Sequence, residues 1–583
     1  MINSDYDNIK YIIGYITNYK YLYYINSYNR KLDDYPVVVD NIEGGVIKLA
    51  SSQTFHIQLD KLYFCKVTST PTVDNSYFTV DIINEFGDKD DHNNFLQALL
   101  IEQEISHSFN QAQEKEANRA KMPKTITSDR VDLRDLPFFT IDGSDAKDFD
   151  DAICGNLLAN KNYQLLVAIA DVDFFVPAGS LLDQEAYNRG TSIYLPTGVI
   201  PMLPEQLSND LCSLQPAVDR LVMVCDMEID QQGNIINYDV YNAVIKSQQR
   251  TTYDQVYNFL SQQNDSNDLK EPVKNNLLIL YEIYQALLIS RKRRGALDFH
   301  TVSSTIILNS QGCVDKILGS STNEAHQLVE EMMLAANLSV ANFIEANNSN
   351  ALYRIHDKPT AEKVDQLKSY VESLGVKWKV ANSELITTKD FQLLIKKIRT
   401  LDDSSTIENV LLRYLMLAQY SSDNIGHFGL AYDQYVHFTS PIRRYADLVI
   451  HRICKAILEK KQLLLPLPEI ASYLLEANKK VDNLVRVMIS YYKCLYAKQH
   501  LGCHYYGIVT AVNSFGVFIY IDQLMLDGLV HLTALADDFY NYNQKSQQLV
   551  GKFTGVVYSV GDKMEVIIAS VDLNKLFINL ELL

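Results

Sequence analysis

Apolar and polar positions alternate in short stretches over the first 120 residues. Tyr11-Ile-Ile-Gly-Tyr-Ile16, Pro36-Val-Val-Val39, Gly45-Val-Ile-Lys-Leu49 and Tyr77-Phe-Thr-Val-Asp-Ile-Ile83 read as strands, separated by turn residues such as Asn41 and Gly44-Gly45. Their brevity predicts one or two small β-barrels. The polar stretch Gln111 to Lys121 reads as a helix leading to a linker at Pro123. The period then changes. Leu165-Leu-Val-Ala-Ile-Ala170 is a continuous apolar run, the mark of a buried strand. Pro272 to Arg294 reads as a helix with Leu277, Leu280, Tyr284, Leu287 and Leu288 as its apolar stripe; Pro272 suits its first turn and Gly295 its end. Ser321-Thr-Asn-Glu324 predicts a capping box for a further helix carrying Leu328, Met332 and Ala335 on one face. From residue 500 the pattern returns to strands: Tyr506-Gly-Ile-Val509, Gly516-Val-Phe-Ile-Tyr520, Gly528-Leu-Val-His531 and Met564-Glu-Val-Ile-Ile568.

Length and composition narrow the class. The chain has 583 residues, enough for about three to five domains. With 47% hydrophobic and 21% charged residues it has the balance of a globular protein, not of a disordered one. No apolar run reaches the roughly 18 residues of a transmembrane helix, so no membrane contact is expected, and Met1 to Lys10 has no secretory pattern. The formal charge of −18 argues against a surface coated with basic residues, although it leaves room for an interior basic channel. The eight cysteines form no Cys-x-x-Cys pair, which predicts reduced packing residues and a cytoplasmic setting.

The sharpest chemical signal is Thr140-Ile-Asp142-Gly-Ser-Asp145-Ala-Lys-Asp148-Phe-Asp150-Asp151, five carboxylates within ten positions. Two carboxylates about 4 Å apart repel by roughly 4 kcal/mol at an effective dielectric near 20, so gathering several calls for cations. Hard divalent ions with oxygen ligands are the natural partners. Two such ions can hold the attacking water and the leaving oxygen of a phosphodiester. An EF-hand is excluded, because Gly143 stands at the second position and Ile153 at the twelfth. From spacing alone three readings stand: a catalytic metal loop, a structural metal site and a solvated acidic turn.

Motifs further along change that balance. They are Ala170-Asp-Val, Gly190-Thr-Ser-Ile-Tyr194-Leu-Pro, Ile200-Pro-Met-Leu-Pro-Glu-Gln-Leu-Ser208, Leu211-Cys-Ser-Leu214, Arg293-Arg-Gly-Ala-Leu-Asp-Phe299, Ala325-His-Gln-Leu-Val-Glu-Glu331 and His437-Phe-Thr-Ser-Pro-Ile-Arg-Arg-Tyr445. Together with the acidic stretch they resemble the RNase II/RNase R (RNB) superfamily of exoribonucleases, from about residue 125 onward. The resemblance implies a multidomain α+β protein with cold-shock-like OB barrels at 1–60 and 61–122, an RNB catalytic domain at 123–498 and an S1-type OB-fold RNA-binding domain at 499–583. It implies processive 3′→5′ hydrolysis of single-stranded RNA to nucleoside 5′-monophosphates, dependent on magnesium with manganese as substitute. A monomer that threads the 3′ end of RNA is expected.

The resemblance also implies roles. Asp142, Asp148, Asp150 and Asp151 would form the metal-holding catalytic set, with Asp145 left without a role. Arg443 would contact the scissile phosphate; read physically, Ser440 suits an N-cap and Pro441 the first helical position, which places Arg443 where free backbone donors favour an anion. Tyr194 and Phe299 would stack on terminal bases, and Tyr253 and Glu331 would sense the ribose. Arg444 would touch RNA, although a lone basic residue there, like His451, is equally a framework group. Phe515, Phe518 and His531 would offer the RNA surface of the S1-type barrel. The basic run Arg291 to Arg294 reads as a helix C-terminal cluster or as an RNA-backbone contact. The sequence departs from the family at Asp173-Phe174-Phe175, where many relatives carry a Ser-His-Tyr-like triplet, and at Asn483, where a Glu is usual. No helix-turn-helix is expected ahead of the first strands. The competing reading is a catalytically weak RNA-binding protein; a DNase is disfavoured by the ribose-sensing positions.

Overall fold

The computed structural model describes residues 10–19, 22–27, 35–43, 45–49, 54–72, 76–89, 91–261, 268–299, 303–320, 322–380, 382–401, 404–535, 538–544 and 546–583. Five strands close an N-terminal barrel in the order Tyr11–Tyr19, Leu22–Ser27, Val37–Val39, Phe78–Asp88, Lys61–Ser69. The last pairs back to the first, with Leu62 opposite Tyr15 and Tyr63 opposite Gly14. The expected division between residues 60 and 61 therefore falls inside one barrel rather than between two. The reason is edge satisfaction: without Tyr11–Tyr19 the strand at 61–69 would expose an unpaired ladder. Ile12, Ile16, Ile25, Tyr63, Cys65 and Phe78 fill this barrel. Gly44 of the expected turn lies outside the described residues. After the barrel the chain is helical. Asp91 caps His92–Glu102, and Gln111–Arg119 is closed by a capping box of Asn110 and Gln113, as its polar pattern predicts.

The central unit is built on a five-stranded sheet in the order Asp151–Leu157, Tyr163–Ala170, Asp219–Ile229, Ile235–Lys246, Val131–Asp132. Leu165 to Ala170 is buried at every position, as its unbroken apolar run requires. The predicted helix spans Glu271–Arg294 and ends at Gly295, whose φ of 95° is the left-handed conformation glycine tolerates. It packs closely on the sheet because Gly155 has no side chain: a Cβ there would lie 3.0 Å from Leu280 Cδ2 and 3.2 Å from Ile283 Cδ1. The next helix, Glu324–Ala346, is capped by Asn323, which accepts from the amides of Ala325 and His326. The capping box expected from Ser321 and Glu324 thus sits two residues further on, because Asn323 is the side chain placed to reach those free amides; Ser321 lies outside the described residues.

The helix Leu467–Lys498 has 32 residues, about 48 Å at the usual rise. It touches all three units. Leu474 packs over Gly190, the Tyr491 ring stacks on Phe95 at 4.3 Å, and Lys493 Nζ lies 3.0 Å from an Asp527 carboxylate oxygen. A C-terminal barrel follows in the order His504–Asn513, Gly516–Ile521, Leu526–His531, Phe577–Leu582, Lys563–Asp572. The architecture is the expected multidomain α+β, with a closed barrel at each end. None of the eight cysteines is in a disulfide; six are buried and act as packing residues, with burial pushing the Cys154 thiol up to about 12. No helix among the described residues is long and apolar enough to cross a membrane.

A buried ion network locks the helix Tyr445–Leu458 to the sheet. Asp171 pairs with Arg130 and Lys455, and Arg452 pairs with Asp173 at 2.9 Å and Asp183 at 2.8 Å. Burial pushes the Asp171 carboxyl up, but Lys455 and Arg130 outweigh it and hold it below the usual range. An acid depressed in the folded state stabilises the fold above its unfolded value, and that contribution is lost as pH falls through the folded value. Asp171→Asn should therefore lower stability by about 3–5 kcal/mol at pH 7 in urea unfolding, since it leaves the buried Arg130 without its carboxylate and Lys455 with Asp173 alone. The difference from the parent should narrow below about pH 4. Equal midpoints at pH 7 would refute the role.

Candidate active site

Three segments converge on the acidic stretch. Asp142 ends the strand Thr140–Asp142, which runs parallel to Arg250–Thr252 with Asp142 opposite Thr252. The chain then turns, with the Ala146 amide donating to Gly143 O at 3.3 Å, and Asp151 opens the edge strand of the central sheet. Two side chains pin the loop between. The Ser213 hydroxyl donates to Lys147 O at 2.7 Å and accepts from the Phe149 amide at 3.1 Å. Arg250 Nη2 donates to Gly143 O at 2.5 Å and Ser144 O at 2.8 Å, while its guanidinium lies 5.6 Å from the Phe149 ring centroid.

The second segment is Ser440 to Arg444. The helix here begins at Tyr445, not at Ser440 as expected. Ser440 gives its amide to Asp447 Oδ1 at 2.8 Å, and its carbonyl accepts from the amides of Arg443 at 3.3 Å and Arg444 at 3.0 Å. Ser440-Pro441 thus opens a tight turn ahead of the helix, and this turn aims its groups at the acidic loop. The Ile442 amide donates to Asp150 Oδ1 at 2.8 Å, and Arg443 Nε lies 3.5 Å from Asp150 Oδ2. The third segment is the hairpin Ile193–Leu195 with Gly198–Ile200. The Thr191 hydroxyl and the Ser192 amide each donate to Arg443 O at 2.9 Å, and the Tyr194 hydroxyl donates to Asp148 Oδ2 at 2.9 Å. Asp148, Asp150, Arg443 and Tyr194 are therefore one connected group.

Electrostatics mark the place as unfinished. Asp142 Oδ2 and Asp150 Oδ2 are buried without a hydrogen-bond partner. Burial, then repulsion from Asp151, pushes the Asp142 carboxyl up to about 8. Burial raises Asp151 to about 6 against the pull of Arg443 and Arg444. Asp150 is raised well above the usual range by burial, with Arg443 opposing. Orphaned, all-oxygen donors whose ionised form is disfavoured by burial fit a hard divalent cation, which would offset that cost. Among the described residues no group of three or more His, Cys, Asp or Glu side chains is already closed into a metal-holding set.

Other candidates fall nearer or farther. Tyr253 opens the helix Tyr253–Leu260, and its ring stacks on His326 at 3.9 Å and 11°. Burial and the charges of Asp151 and Asp142 raise its hydroxyl, which puts it in the electrostatic reach of the cluster. Asp145 is exposed. Phe299 is partly buried against the apolar core that also holds Ile193 and Leu297. Glu331 is buried and paired with Arg291; it lines a cavity of about 700 Å³ together with Arg294 and Gln434. Arg291, Arg293 and Arg294 are all engaged by protein groups, Arg293 with Asn234 and Arg294 with Leu430 O, which favours the helix-end reading of that basic run. Arg444 forks onto Asp447 at 2.7 and 2.8 Å and is a framework residue, and His451 is buried against Phe438. Asn483 accepts from Arg486 at 2.7 Å, beside the crease that Asp482 and Arg486 line with Phe518.

In the C-terminal barrel Gly516 pairs opposite His531, and the Leu532 amide donates to Phe515 O at 2.8 Å, so Phe515 and His531 share one end of the barrel. The Phe518 ring meets Phe515 edge-on at 6.0 Å. Sequence reasoning missed Arg250, Ser213, the Ile442 amide and His326. Ser213, Ile442 and His326 stand inside quoted motifs and Arg250 three residues before Tyr253, but their partners are distant in the chain.

Family models match an RNB domain over residues 130–460 and an S1 RNA binding domain over residues 499–582. Ribonuclease R of Escherichia coli (strain K12) is 36% identical over 518 residues, covering 86% of this chain and 64% of that protein. Ribonuclease R of Thermotoga maritima is 39% identical over 507 residues, covering 84% of this chain and 71% of that protein. The chain thus spans under two thirds of the Escherichia coli relative. Among solved structures, the apo form of Mycoplasma genitalium RNase R matches with a TM-score of 0.90 at 29% identity, covering 99% of this chain and 90% of that one. The same protein in complex with ribose methylated single-stranded RNA gives 0.88 at 28% identity, with the same coverage of both chains.

The raised Asp142 value has a measurable sign. The folded chain holds a proton there that the unfolded chain releases near pH 4, so in chelator stability falls as pH rises from about 4 toward 8. Asp142→Asn, which cannot ionise, should melt above the parent at pH 8 in chelator. That advantage should shrink toward pH 5. A parent that melts at the higher temperature at pH 8 would contradict the buried repulsion.

Proposed function

The chain belongs to the RNB family, and on that premise we propose that it is a metal-dependent exoribonuclease acting on single-stranded RNA from the 3′ end. The observation that carries this reading is the pair of buried carboxylate oxygens on Asp142 and Asp150 that accept no hydrogen bond, with the Arg443 guanidinium 3.5 Å from the second. Hydrolysis adds water across the last P–O3′ bond, which leaves a 3′-hydroxyl on the shortened chain and a 5′-phosphate on the released nucleoside. Asp142, Asp148, Asp150 and Asp151 would hold divalent cations, magnesium first and manganese as substitute, which supply an activated water and neutralise phosphate charge.

The chain's own groups supply the rest. Arg443 is close enough to Asp150 to be oriented by it, and its side chain is 42% exposed, so the guanidinium can fork onto a phosphate oxygen pair. Tyr194 is 44% exposed and offers a ring face to a terminal base, which stacking holds by about 1–3 kcal/mol without regard to sequence. Phe299 is the second stacking candidate. Tyr253, braced by His326 beside the carboxylates, is the candidate for reading the ribose; Glu331 would join it only by releasing Arg291. Phe515, Phe518 and His531 give the C-terminal barrel a surface for the incoming strand. The Mycoplasma genitalium relative is itself seen with single-stranded RNA, which supports the same ligand class here.

The test is end-labelled single-stranded RNA, its deoxy counterpart and a 3′-tailed duplex, each with magnesium and with chelator. Mononucleotide release from the ribose strand with magnesium alone is the expected result. Retention without product would instead support an RNA-binding protein. Asp150→Asn should lower turnover by about 100-fold while RNA affinity stays near the parent's. Tyr194→Ala should alter the length of the final product, and an unaltered ladder would count against the clamp.

A further inference from the structure

Stacking needs only the ring of Tyr194, yet its hydroxyl is committed elsewhere. Tyr194 sits opposite Val199 in its hairpin, and the hydroxyl donates to Asp148 Oδ2 at 2.9 Å. The hairpin that carries it is held firmly. The Ser192 amide and the Thr191 hydroxyl bind Arg443 O, the Met202 amide donates to Ser192 Oγ at 2.8 Å, and Ile193 is buried. Asp148, in contrast, stands on the acidic loop, where no other hydrogen bond to its side chain is formed among the described residues. An unconstrained carboxylate turns freely about its last bond and can offer either oxygen. One hydrogen bond to Oδ2 leaves Oδ1 as the oxygen available to a cation.

We propose that the Tyr194 hydroxyl is a positioning group for Asp148, so that one residue joins the seat of the RNA terminus to the geometry of the metal-holding loop. A base pressed on the exposed ring face bears on the same side chain that orients the carboxylate. Occupancy of the strand end and readiness of the acidic loop are thereby linked. The inference rests on the exoribonuclease reading above and adds a role for the hydroxyl that stacking does not supply.

Tyr194→Phe keeps the ring and removes the hydroxyl. Manganese binding to the full chain, followed by calorimetry without RNA, should weaken about tenfold in this variant, the usual cost of removing a group that orients a metal ligand. RNA affinity in chelator should stay within about twofold of the parent, because the stacking face is retained. In an Asp148→Asn background the same substitution should have no further effect on manganese affinity, which shows that the hydroxyl acts through Asp148. Manganese affinity of Tyr194→Phe within about twofold of the parent would overturn the proposal, as would an undiminished effect in the Asp148→Asn background. A parent chain that takes up no manganese would overturn the metal-dependent reading itself, a different result from an unaffected Tyr194→Phe.

Discussion

Several carboxylates held in one partly buried loop repel one another, and the structure around residues 142–151 is arranged against that repulsion. The Ile442 amide and the Arg443 guanidinium face Asp150. Arg250 draws the turn at Gly143 and Ser144 inward and eases the charge on Asp142. What remains shows in the carboxyls themselves: Asp142, Asp150 and Asp151 are all raised above ordinary carboxylate values. A divalent cation would meet the same repulsion with more charge and with geometry, so the acidity of the loop fits a metal.

That arrangement depends on contacts made far away. The turn that carries Ile442 and Arg443 leads directly into the helix Tyr445–Leu458. The helix is fixed to the sheet by Arg452 and Lys455, which meet Asp171, Asp173 and Asp183 in the interior. Asp171 follows directly on the buried strand whose neighbour begins at Asp151. The acidic loop and its basic counterpart are thus registered through one sheet and one ion network. The motif Ala170-Asp-Val is framework, and the Asp173-Phe174-Phe175 departure leaves it intact because Asp173 supplies a carboxylate to Arg452 and Lys455.

The long helix Leu467–Lys498 plays the corresponding role for the larger units. It offers one face to the hairpin region near Gly190, another to Phe95 beyond the N-terminal barrel and a third to the C-terminal barrel. A helix of that length is stiff on the scale of a domain. The aromatic end of the C-terminal barrel is therefore held in a defined relation to the central unit, with Phe518 at the crease between the barrel and the long helix.

Local pattern was enough for the architecture in outline. Short alternating runs announced strands at both ends and a barrel at the first, the unbroken run at Leu165–Ala170 announced a buried strand, and Gly295 announced the end of a helix; each depends on neighbours within a few positions, where periodicity and backbone preference act. The acidic loop was equally visible, because five charges in ten residues is a local fact. Closure of a barrel is not local, so the joining of Lys61–Ser69 to Tyr11–Tyr19 appeared only in three dimensions. Nor were the partners of the loop, since Ser213, Arg250 and Ile442 reach it from 64 to 292 positions away. Composition and spacing decide which groups a chain possesses. Which carboxylate meets which donor, and which arginine stays open to solvent while another is locked on Asp447, is decided by packing, because Coulomb energy follows distance in space and not separation along the chain.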